Sequence, residues 1–376
     1  MAISKDVTLS SERAPISARE TAKAAFLEAH GYGDVRRESL GGDASTRSYE
    51  RLHRDGGQSF IFMDQPPSVE TAPCPPDATP AQRAALGYNA LARLAAGRVD
   101  AFVACAGWLK AQGLSAPTVL AADPAAGLAV LEDLGDDLYA RLIEAGTDEA
   151  PLYDAAIDGL LALHAAPTPG VLDFDGSTWP LLAYDDLALK TAHDIFVEWQ
   201  PQYRDVAFDD AALADWEAIW APIRAIGKAG ATVFCHRDYH AENLIWLPGR
   251  EGAAQVGMLD FQDAVLAHPA WDLSMLLHDA RRTVSPERET ACLDRYLAAR
   301  PELDRTAFLA DYHALGALNI IRILGIFARL VTRDGKPRYA DFIPRLWTYL
   351  DVCFADPALK DLKAWFDAHV PAQARR

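Results

Sequence analysis

The segment Val233–Ile245 reads VFCHRDYHAENLI, with apolar ends and a polar centre. The β-branched and aromatic residues at its ends favour strands, and its centre places Asp238 five residues before Asn243. A second apolar run, Val256–Leu259, leads into the acidic turn Asp260–Asp263, which begins seventeen residues after Asn243. The order and spacing match an H-x-D-x-x-x-x-N loop followed by a second acidic motif. We therefore expect these polar side chains to lie together at neighbouring strand ends.

This residue set fits phosphoryl transfer. That reaction requires one carboxylate to accept the proton of the attacking hydroxyl, and oxygen ligands that hold Mg²⁺ against the phosphates of ATP. Asp238 fits the role of the base, and Asn243 and Asp260 fit the role of magnesium ligands. The pattern thus predicts an ATP- and magnesium-dependent kinase.

Two other interpretations use the same residues. A β-hairpin with turn-forming Asp and Asn is one, but it does not explain three hydrogen-bonding residues in one turn beside two histidines. A zinc site is the other, because His236 and His240 are four residues apart, as in H-E-x-x-H. Arg237 stands where the Glu of that motif belongs, and the preceding residues favour a strand over a helix.

Five segments, in this order, also carry a family resemblance: Gly42–Tyr49, Phe62–Pro67, Leu131–Asp136, His236–His240 and Leu259–Ala264. In them the chain resembles the aminoglycoside phosphotransferase and choline kinase superfamily. The resemblance implies an α+β, protein-kinase-like two-lobe fold, with a small N-lobe built on an antiparallel sheet and a larger, mainly helical C-lobe. We expect a tail over 1–15, a nucleotide-binding lobe over 16–133 and a catalytic and substrate-binding lobe over 134–376.

Within the superfamily, the chain is similar to amino-sugar kinases of cell-wall recycling. The Asp-Ala-Ser-x-Arg, Met-Asp-x-Pro-Pro and Asp-Phe-Gln-Asp-Ala segments carry this finer likeness. It implies phosphorylation of the anomeric hydroxyl of N-acetylmuramate and N-acetylglucosamine. A kinase for an aminoglycoside, choline or related alcohol remains an alternative, as does a non-catalytic nucleotide-binding protein.

The resemblance also implies nucleotide contacts. Backbone groups near Glu132 and Leu134 would meet the base, and the hairpin that contains Gly42 and Ser45 would cover the phosphates. Kinases of this fold usually carry a phosphate-binding lysine on the third strand, but Met63 stands there. Two cations just past the Gly41-Gly42 turn are candidates to replace it, Arg47 and Arg51, and Arg47 is favoured.

The substrate site is less defined by sequence. The candidates beside the catalytic groups are Tyr239, His240, Gln262 and Asp263, and Glu198 lies in a segment dense in aromatic and acidic residues. That segment also reads as a helix that buries its aromatic residues in the core.

We also expect roles for five further side chains. Arg322 and Arg329 are candidate partners for the lactyl carboxylate of N-acetylmuramate. His236 is expected to support the catalytic loop by hydrogen bonding, and Asp272 to accept hydrogen bonds from the backbone of that loop. Arg237 is expected either to pair with a carboxylate or to be solvated.

Along the rest of the chain, hydrophobic periodicity and turn residues predict the main elements. Ser17 opens a helix that Gly31 stops, strands cover 60–63, 118–121 and 128–131, and an Ala-rich helical stretch over 81–113 breaks near Gly97. After Asp137 we expect helices, interrupted only by the strands that carry the catalytic and metal-binding residues.

Composition excludes several classes of protein. The formal charge of −17 argues against general nucleic-acid binding, which requires a basic surface. Five scattered cysteines without a C-x-x-C pair fit a reducing compartment. The N-terminus lacks the apolar core of a signal peptide, and the apolar stretch over 314–331 contains three polar residues, as in a buried helix. We expect a cytoplasmic enzyme with a small-molecule amino sugar as its partner, no membrane and no obligate protein partner.

Overall fold

The N-terminal part of the molecule is built on a five-stranded antiparallel sheet. The computed structural model describes residues 17–42, 47–66 and 72–375. The strands are β1 (Arg36–Gly42), β2 (Ser48–His53), β3 (Ser59–Asp64), β4 (Val119–Asp123) and β5 (Leu128–Glu132). Their order across the sheet is β1-β2-β3-β5-β4. The predicted strands over 60–63, 118–121 and 128–131 are thereby confirmed.

Helix α1 (Ala18–Ala29) covers one face of this sheet. It begins as the sequence predicts, because the Ser17 side chain accepts a hydrogen bond from the Glu20 amide. Phe26 and Leu27 are buried with strand residues such as Phe62 in a small apolar core. That core holds α1 on the sheet and leaves the opposite face for the cleft between the lobes.

The Ala-rich stretch forms three helices, and it breaks earlier than predicted. They are α2 (Pro80–Leu86), α3 (Tyr88–Leu91) and α4 (Val99–Ala111). The first break is at Gly87, whose φ of +89° is open to glycine but strained for other residues. The second covers 92–98, where Arg93 and Ala96 also adopt positive φ. The predicted break near Gly97 is real, but it is the second of two.

The C-terminal part is mainly helical. Its helices are α5 (Tyr139–Glu144), α6 (Glu149–Ala165), α7 (Asp186–Tyr203), α8 (Asp210–Ala229), α9 (Ala270–Leu277), α10 (Pro286–Ala298), α11 (Arg305–Thr332), α12 (Ile343–Cys353) and α13 (Lys360–His369). Short 3₁₀ turns cover Ala241–Asn243, Gly252–Gln255, Pro337–Phe342, Pro357–Leu359 and Ala372–Arg375. Together with the N-terminal sheet, these helices form the two-lobe, protein-kinase-like fold that the resemblance implies.

Helix α11 is the central element of the C-lobe. By length and composition alone it could cross a membrane, but 78% of its apolar window is buried inside the protein, as predicted for a core helix. It packs closely on α7: a Cβ at Gly325 would lie 2.6 Å from the Ile195 carbonyl carbon. Glycine at this position therefore allows the two helix backbones to approach each other.

Six short strands interrupt the C-lobe, two of which were not predicted. The pairs are β6 (Val171–Phe174) with β7 (Ser177–Pro180), β8 (Val233–Cys235) with β11 (Val265–Ala267), and β9 (Leu244–Trp246) with β10 (Val256–Met258). The prediction of helices alone outside the catalytic region was wrong for β6 and β7. Their turn is Asp175-Gly176, both at positive φ, and Asp-Gly between two apolar runs is a strong hairpin pattern.

Candidate active site

The β9–β10 ladder brings Asn243 and Asp260 together. Leu244 pairs with Met258 in this ladder, and one step further the Leu259 amide donates to the Asn243 carbonyl at 2.9 Å. Asn243 precedes β9 and Asp260 follows β10, so both side chains emerge at the same end of the two strands. Asn243 and Asp260 are seventeen residues apart in the sequence, but the ladder places them next to each other.

The backbone that precedes Asp238 is held by a buried carboxylate. Asp272 accepts from the amide of His236 at 2.7 Å and from the amide of Arg237 at 2.8 Å, which confirms its predicted role. Burial alone would raise the pKa of Asp272, but the hydrogen bond and charge of His164 reverse that effect and hold it below the ordinary value. The carboxylate therefore stays ionised.

Arg237 anchors the same loop from the other side, and both roles expected for it were wrong. Its backbone is left-handed, with φ +77°, and its buried guanidinium donates to the carbonyls of Ala92 (2.9 Å) and Arg93 (3.2 Å). It also lies 4.7 Å from the centre of the Tyr184 ring. Arg237 thus ties the catalytic loop to the segment between α3 and α4.

His236 supports the loop by packing. Its ring is buried and meets Tyr239 and Phe261 edge to face, at centroid distances of 5.5 and 6.4 Å. Neither ring nitrogen has a hydrogen-bond partner among the described residues. The expected support by side-chain hydrogen bonding is therefore not what the geometry gives.

Asp238 lies at the floor of the site with 30% of its side chain exposed. Burial raises its pKa to about 6; the neighbouring Arg322 opposes that rise, and the negative charges of Asp260 and Asp263 reinforce it. The Arg322 Nη2 atom is 3.9 Å from the Asp238 Oδ1 atom. A carboxylate with a pKa close to the working pH is well suited to accept a proton.

The donor set of Asn243 and Asp260 fits a magnesium ion. The Asn243 side-chain nitrogen donates to the Asp238 carbonyl at 2.9 Å, which leaves its amide oxygen for a ligand. Asp260 is held at φ +61° and is half-exposed. The described ranges contain no cluster of three or more His, Cys, Asp or Glu that could hold a metal. Magnesium is commonly bound by one or two carboxylates together with substrate phosphates, without an all-protein cage.

Arg47 reaches this centre from the N-lobe. Its Nη1 atom is 2.9 Å from Asp260 Oδ1 and 3.1 Å from the Tyr49 hydroxyl, and its Nε donates to Gln65 at 3.1 Å. Burial would lower its pKa, but the nearby Tyr49 and Asp260 outweigh that and raise it. Met63, paired with Tyr49 on the next strand, is buried in the core. A permanent positive charge therefore stands beside the metal-ligand position although the strand carries no lysine.

The second candidate cation, Arg51, has a different location. It bonds Asp133 at 2.7 Å and Asp136 at 2.8 Å, both in the segment that joins the lobes. Arg47, Tyr49 and Arg51 all line one cleft, because residues two apart on a strand face the same side. Arg51 thus fixes the connection between the lobes, and Arg47 is the arginine that reaches Asp260.

The nucleotide candidates lie in this interlobe cleft, which has a volume of ≈ 830 Å³. Leu131–Asp136, including Glu132 and Leu134, form its wall. The Glu132 carboxylate is engaged by Thr118 (2.6 Å) and Arg250 (2.7 Å), so its backbone remains the expected contact for a base. Gly42 ends β1, and Ser45 lies outside the described residues.

A second, smaller pocket of ≈ 220 Å³ opens beside Asp238. Asn243 and Asp260 line both this pocket and the interlobe cleft. Its remaining lining comes from the catalytic loop, α9 and the residues after it, α11 and the turn at Tyr339: His240, Glu242, Met275, His278, Asp279, Ala280, Arg281, Arg322, Ile323, Ile326, Phe327 and Leu330. A donor in the large cleft and an acceptor in the small pocket would thus meet at Asn243 and Asp260.

The model of the family described as "Phosphotransferase enzyme family" matches residues 36–309, which is most of the chain and includes Arg47, Asp238, Asn243 and Asp260. The chain belongs to the phosphotransferase enzyme family. The phosphotransferase is also 87% identical to an N-acetylmuramate/N-acetylglucosamine kinase of Caulobacter vibrioides, over 98% of this chain and 100% of that protein. A protein of the same name from Pseudomonas aeruginosa is 30% identical over 89% of each chain.

Solved structures agree with the fold. The phosphotransferase is similar to an ethanolamine kinase of Plasmodium vivax, with a TM-score of 0.55, 10% identity and coverage of 92% of both chains. It is similar also to the GDP complex of an aminoglycoside 2′-phosphotransferase-IIIa, with a TM-score of 0.53, 11% identity and coverage of 89% of this chain and 99% of that one. At these identities the likeness concerns the fold alone.

Two of the predicted substrate residues are placed away from the small pocket. Tyr239 is fully buried, and its hydroxyl donates to the Ala156 carbonyl at 2.8 Å. Glu198 is exposed on α7 and lines neither the small pocket nor the cleft. The first side chain points into the core and the second into solvent, so the structure brings neither of them to the small pocket.

The other three predicted substrate residues lie at the centre, on two sides of it. His240 lines the small pocket; burial and the neighbouring Arg281 hold its pKa well below the usual value, so its imidazole is neutral at pH 7. Gln262 and Asp263 line the interlobe cleft, where the Gln262 side chain donates to Asp260 at 2.9 Å and Asp263 accepts from the Ala95 amide at 2.6 Å.

Sequence reasoning missed the groups after α9. Asp279 is buried in the wall of the small pocket; its Oδ1 accepts from the Arg281 amide at 2.8 Å, and its Oδ2 has no hydrogen-bond partner among the described residues. Burial raises the pKa of Asp279. The run of charges over 278–282, directly after the apolar α9, was the available indication that this loop lines a polar site.

Proposed function

We propose that this phosphotransferase transfers the γ-phosphoryl group of ATP to the anomeric hydroxyl of N-acetylmuramate and N-acetylglucosamine, and so forms sugar 1-phosphates for cell-wall recycling. The observation that carries the proposal is the pair of adjoining pockets that share Asn243 and Asp260, with Asp238 opening into the smaller one. The 87% identity to a kinase named for these two sugars supports the choice of acceptor.

The side chains divide the chemical work between them. Asp238 would accept a hydrogen bond from the anomeric hydroxyl and take its proton as the phosphoryl group is transferred. Asn243 and Asp260 would hold Mg²⁺, which neutralises phosphate charge when it is bound. Arg47 would place a further positive charge at the phosphates. This division follows the general scheme for the reaction, in which positioning and electrostatics dominate.

The small pocket has the composition of a sugar site. One side is apolar, formed by Ile323, Ile326 and Phe327 of α11, and would suit the apolar face of a pyranose ring. The facing groups, among them Asp279 and His240, are polar. Polar side chains on this side would exchange hydrogen bonds with the sugar hydroxyls and the acetamido group.

The charge of the pocket does not by itself choose between acceptors. Two arginines line it, Arg281 and Arg322, but so do four carboxyl groups, Asp238, Glu242, Asp260 and Asp279. The identity to a kinase named for two N-acetyl sugars is therefore what favours these acceptors over an aminoglycoside or choline. A non-catalytic nucleotide-binding role is disfavoured as well, since Arg47 supplies the charge that Met63 does not.

A reducing compartment suits the protein. All five cysteines are free and buried, and a protein without disulfides needs no oxidising environment. We propose that it acts in the cytoplasm on small molecules.

The test is ADP release from ATP and magnesium in the presence of N-acetylmuramate, N-acetylglucosamine, glucose, choline or kanamycin. We expect turnover on the two N-acetyl sugars, and a fall of about 10²–10⁴-fold in D238N, whose Mg-ATP affinity should stay close to that of the wild type. Turnover on choline or kanamycin alone would contradict the acceptor. Full activity of D238N would remove Asp238 as the base.

A further inference from the structure

Two arginines line the small pocket in the part of the chain that the structure describes, and they have different surroundings. Arg322, on α11, has its Nη2 atom 3.9 Å from Asp238 Oδ1, and its Nε donates to Asn319 at 3.0 Å. A group that hydrogen-bonds Asp238 must therefore sit beside Arg322 as well. This arginine belongs to the reacting end of the pocket, where both proposed sugars carry the same anomeric hydroxyl.

Arg281 lies on the loop after α9, and its side chain meets Glu242 and His240. Its amide is fixed by Asp279, its Nε atom is 2.7 Å from Glu242 Oε2, and its Nη1 atom is 3.4 Å from His240 Nε2. The side chain is 25% exposed. The neutral His240 and the single carboxylate of Glu242 leave part of the guanidinium's five donors for a ligand.

The two proposed substrates differ in one charged group. N-acetylmuramate carries a lactyl ether with a carboxylate on O3 of the ring, and N-acetylglucosamine has a hydroxyl there. O3 is on C3, two ring positions from the anomeric carbon, and the lactyl group extends from it, so the carboxylate would lie several ångströms from the hydroxyl that meets Asp238. Arg329, the other sequence candidate, lines the interlobe cleft and lies 4.8 Å from the Tyr88 ring centre.

We propose that Arg281 binds the lactyl carboxylate of N-acetylmuramate and thereby sets the enzyme's preference between the two sugars. This inference rests on the proposed function. A guanidinium matches a carboxylate in planar geometry and can donate two parallel hydrogen bonds to it. Glu242 would hold the guanidinium in place while the remaining donors engage the substrate.

The experiment is to measure kcat/KM of R281M for three acceptors: N-acetylmuramate, its methyl ester and N-acetylglucosamine. Hydrogen bonds to a charged group contribute enough for a loss of about 10–100-fold with N-acetylmuramate. The other two acceptors lack the carboxylate, so their kcat/KM should fall at least about tenfold less than that for N-acetylmuramate. R281K keeps the positive charge but cannot donate two parallel hydrogen bonds to a carboxylate. Its kcat/KM for N-acetylmuramate should lie between those of the wild type and R281M.

R282M is the matched control. Arg282 is the next residue, but its guanidinium turns to the Ala140 carbonyl at 3.4 Å and does not line the pocket, so the ratio between the two sugars should not change. The wild type itself should lose activity on the methyl ester, and R281M should be indifferent to esterification.

Because the readout is a ratio between substrates of one protein sample, partial unfolding of a variant cannot imitate it. If R281M lost the same factor in kcat/KM on both sugars, their ratio would be unchanged. That result would overturn the role of Arg281 and leave the proposed function intact. A wild-type enzyme that phosphorylates neither sugar would overturn both.

Discussion

At the scale of single residues, the positive charge beside Asp260 comes from Arg47, the arginine that the sequence favoured, and not from the third strand. The third strand offers only the buried Met63, and Arg47 approaches Asp260 from just before β2. The charge is thus delivered across the cleft from the neighbouring strand, with the Tyr49 hydroxyl and Gln65 holding the guanidinium.

We expect R47A to raise KM for ATP and to lower kcat, together by about 10–100-fold in kcat/KM, because a charge-assisted contact to phosphate is lost. R47K should recover part of the loss. The measurement is steady-state ADP release, with nucleotide binding followed by calorimetry. R36A serves as the control, because Arg36 is an exposed arginine of β1 that pairs with Glu38. If R47A had the KM and kcat of the wild type, Arg47 could not be the cation that replaces the missing lysine.

As the proposed base, Asp238 should set the acid side of the pH profile through its ionisation. The base works only when it is ionised, and burial raises its pKa to about 6, so kcat/KM should fall as the pH drops through that value. Arg322 lowers this pKa, and R322M should therefore shift the acid limb to higher pH, whatever its effect on the absolute rate. Activity that stays flat down to pH 4.5, in protein shown to be folded, would contradict the assignment.

At the scale of elements, the catalytic loop depends on α9. This helix presents Asp272 to two backbone amides that have no other partner in the ladder. The loop conformation, including the left-handed Arg237, is therefore set by a side chain thirty-odd residues away and not by the loop's own sequence.

We expect D272A to lower the free energy of unfolding by about 2–6 kcal/mol, because each of two buried donors left without an acceptor costs about 1–3 kcal/mol. Chemical denaturation, with the slope checked for two-state behaviour, measures this change. The exposed D304A at the start of α11, which removes a helix cap, should cost only about 1 kcal/mol. Equal losses in the two variants would show that Asp272 does not have this role.

The elements also show which parts of the site were readable from sequence. Asp238, Asn243 and Asp260 were identifiable because short strands flank them and a fixed ladder register brings them together. Tyr239 was misplaced because alternation along the loop does not reveal which side faces the core. Arg281 and Asp279 were missed because their loop joins the site only through the packing of α9 and α11, which no local pattern encodes. The β6–β7 hairpin, by contrast, carried a readable Asp-Gly turn.

At the scale of the whole molecule, a strongly acidic protein must attract an acidic nucleotide. The net charge of −17 opposes the approach of ATP, and the compensating cations are local: Arg47, Arg51, Arg141, Arg329 and Arg333 all line the interlobe cleft. Four of them are partly neutralised: Arg47 by Asp260, Arg51 by Asp133 and Asp136, Arg141 by Asp136 and Arg333 by Asp334. Binding therefore depends on the arrangement of charges within the cleft and not on the overall field.

Helix α11 forms a wall of both pockets. Ile326 and Leu330 line the small pocket and the interlobe cleft, whereas Ile323 and Phe327 line the small pocket alone. For an evolving lineage these positions are not equivalent. Exchanges at Ile323 or Phe327 can reshape the choice of acceptor while the donor side is spared, and exchanges at Ile326 or Leu330 alter both at once. New acceptor specificities should thus arise through changes at Ile323 and Phe327, because changes at Ile326 and Leu330 would also affect nucleotide binding.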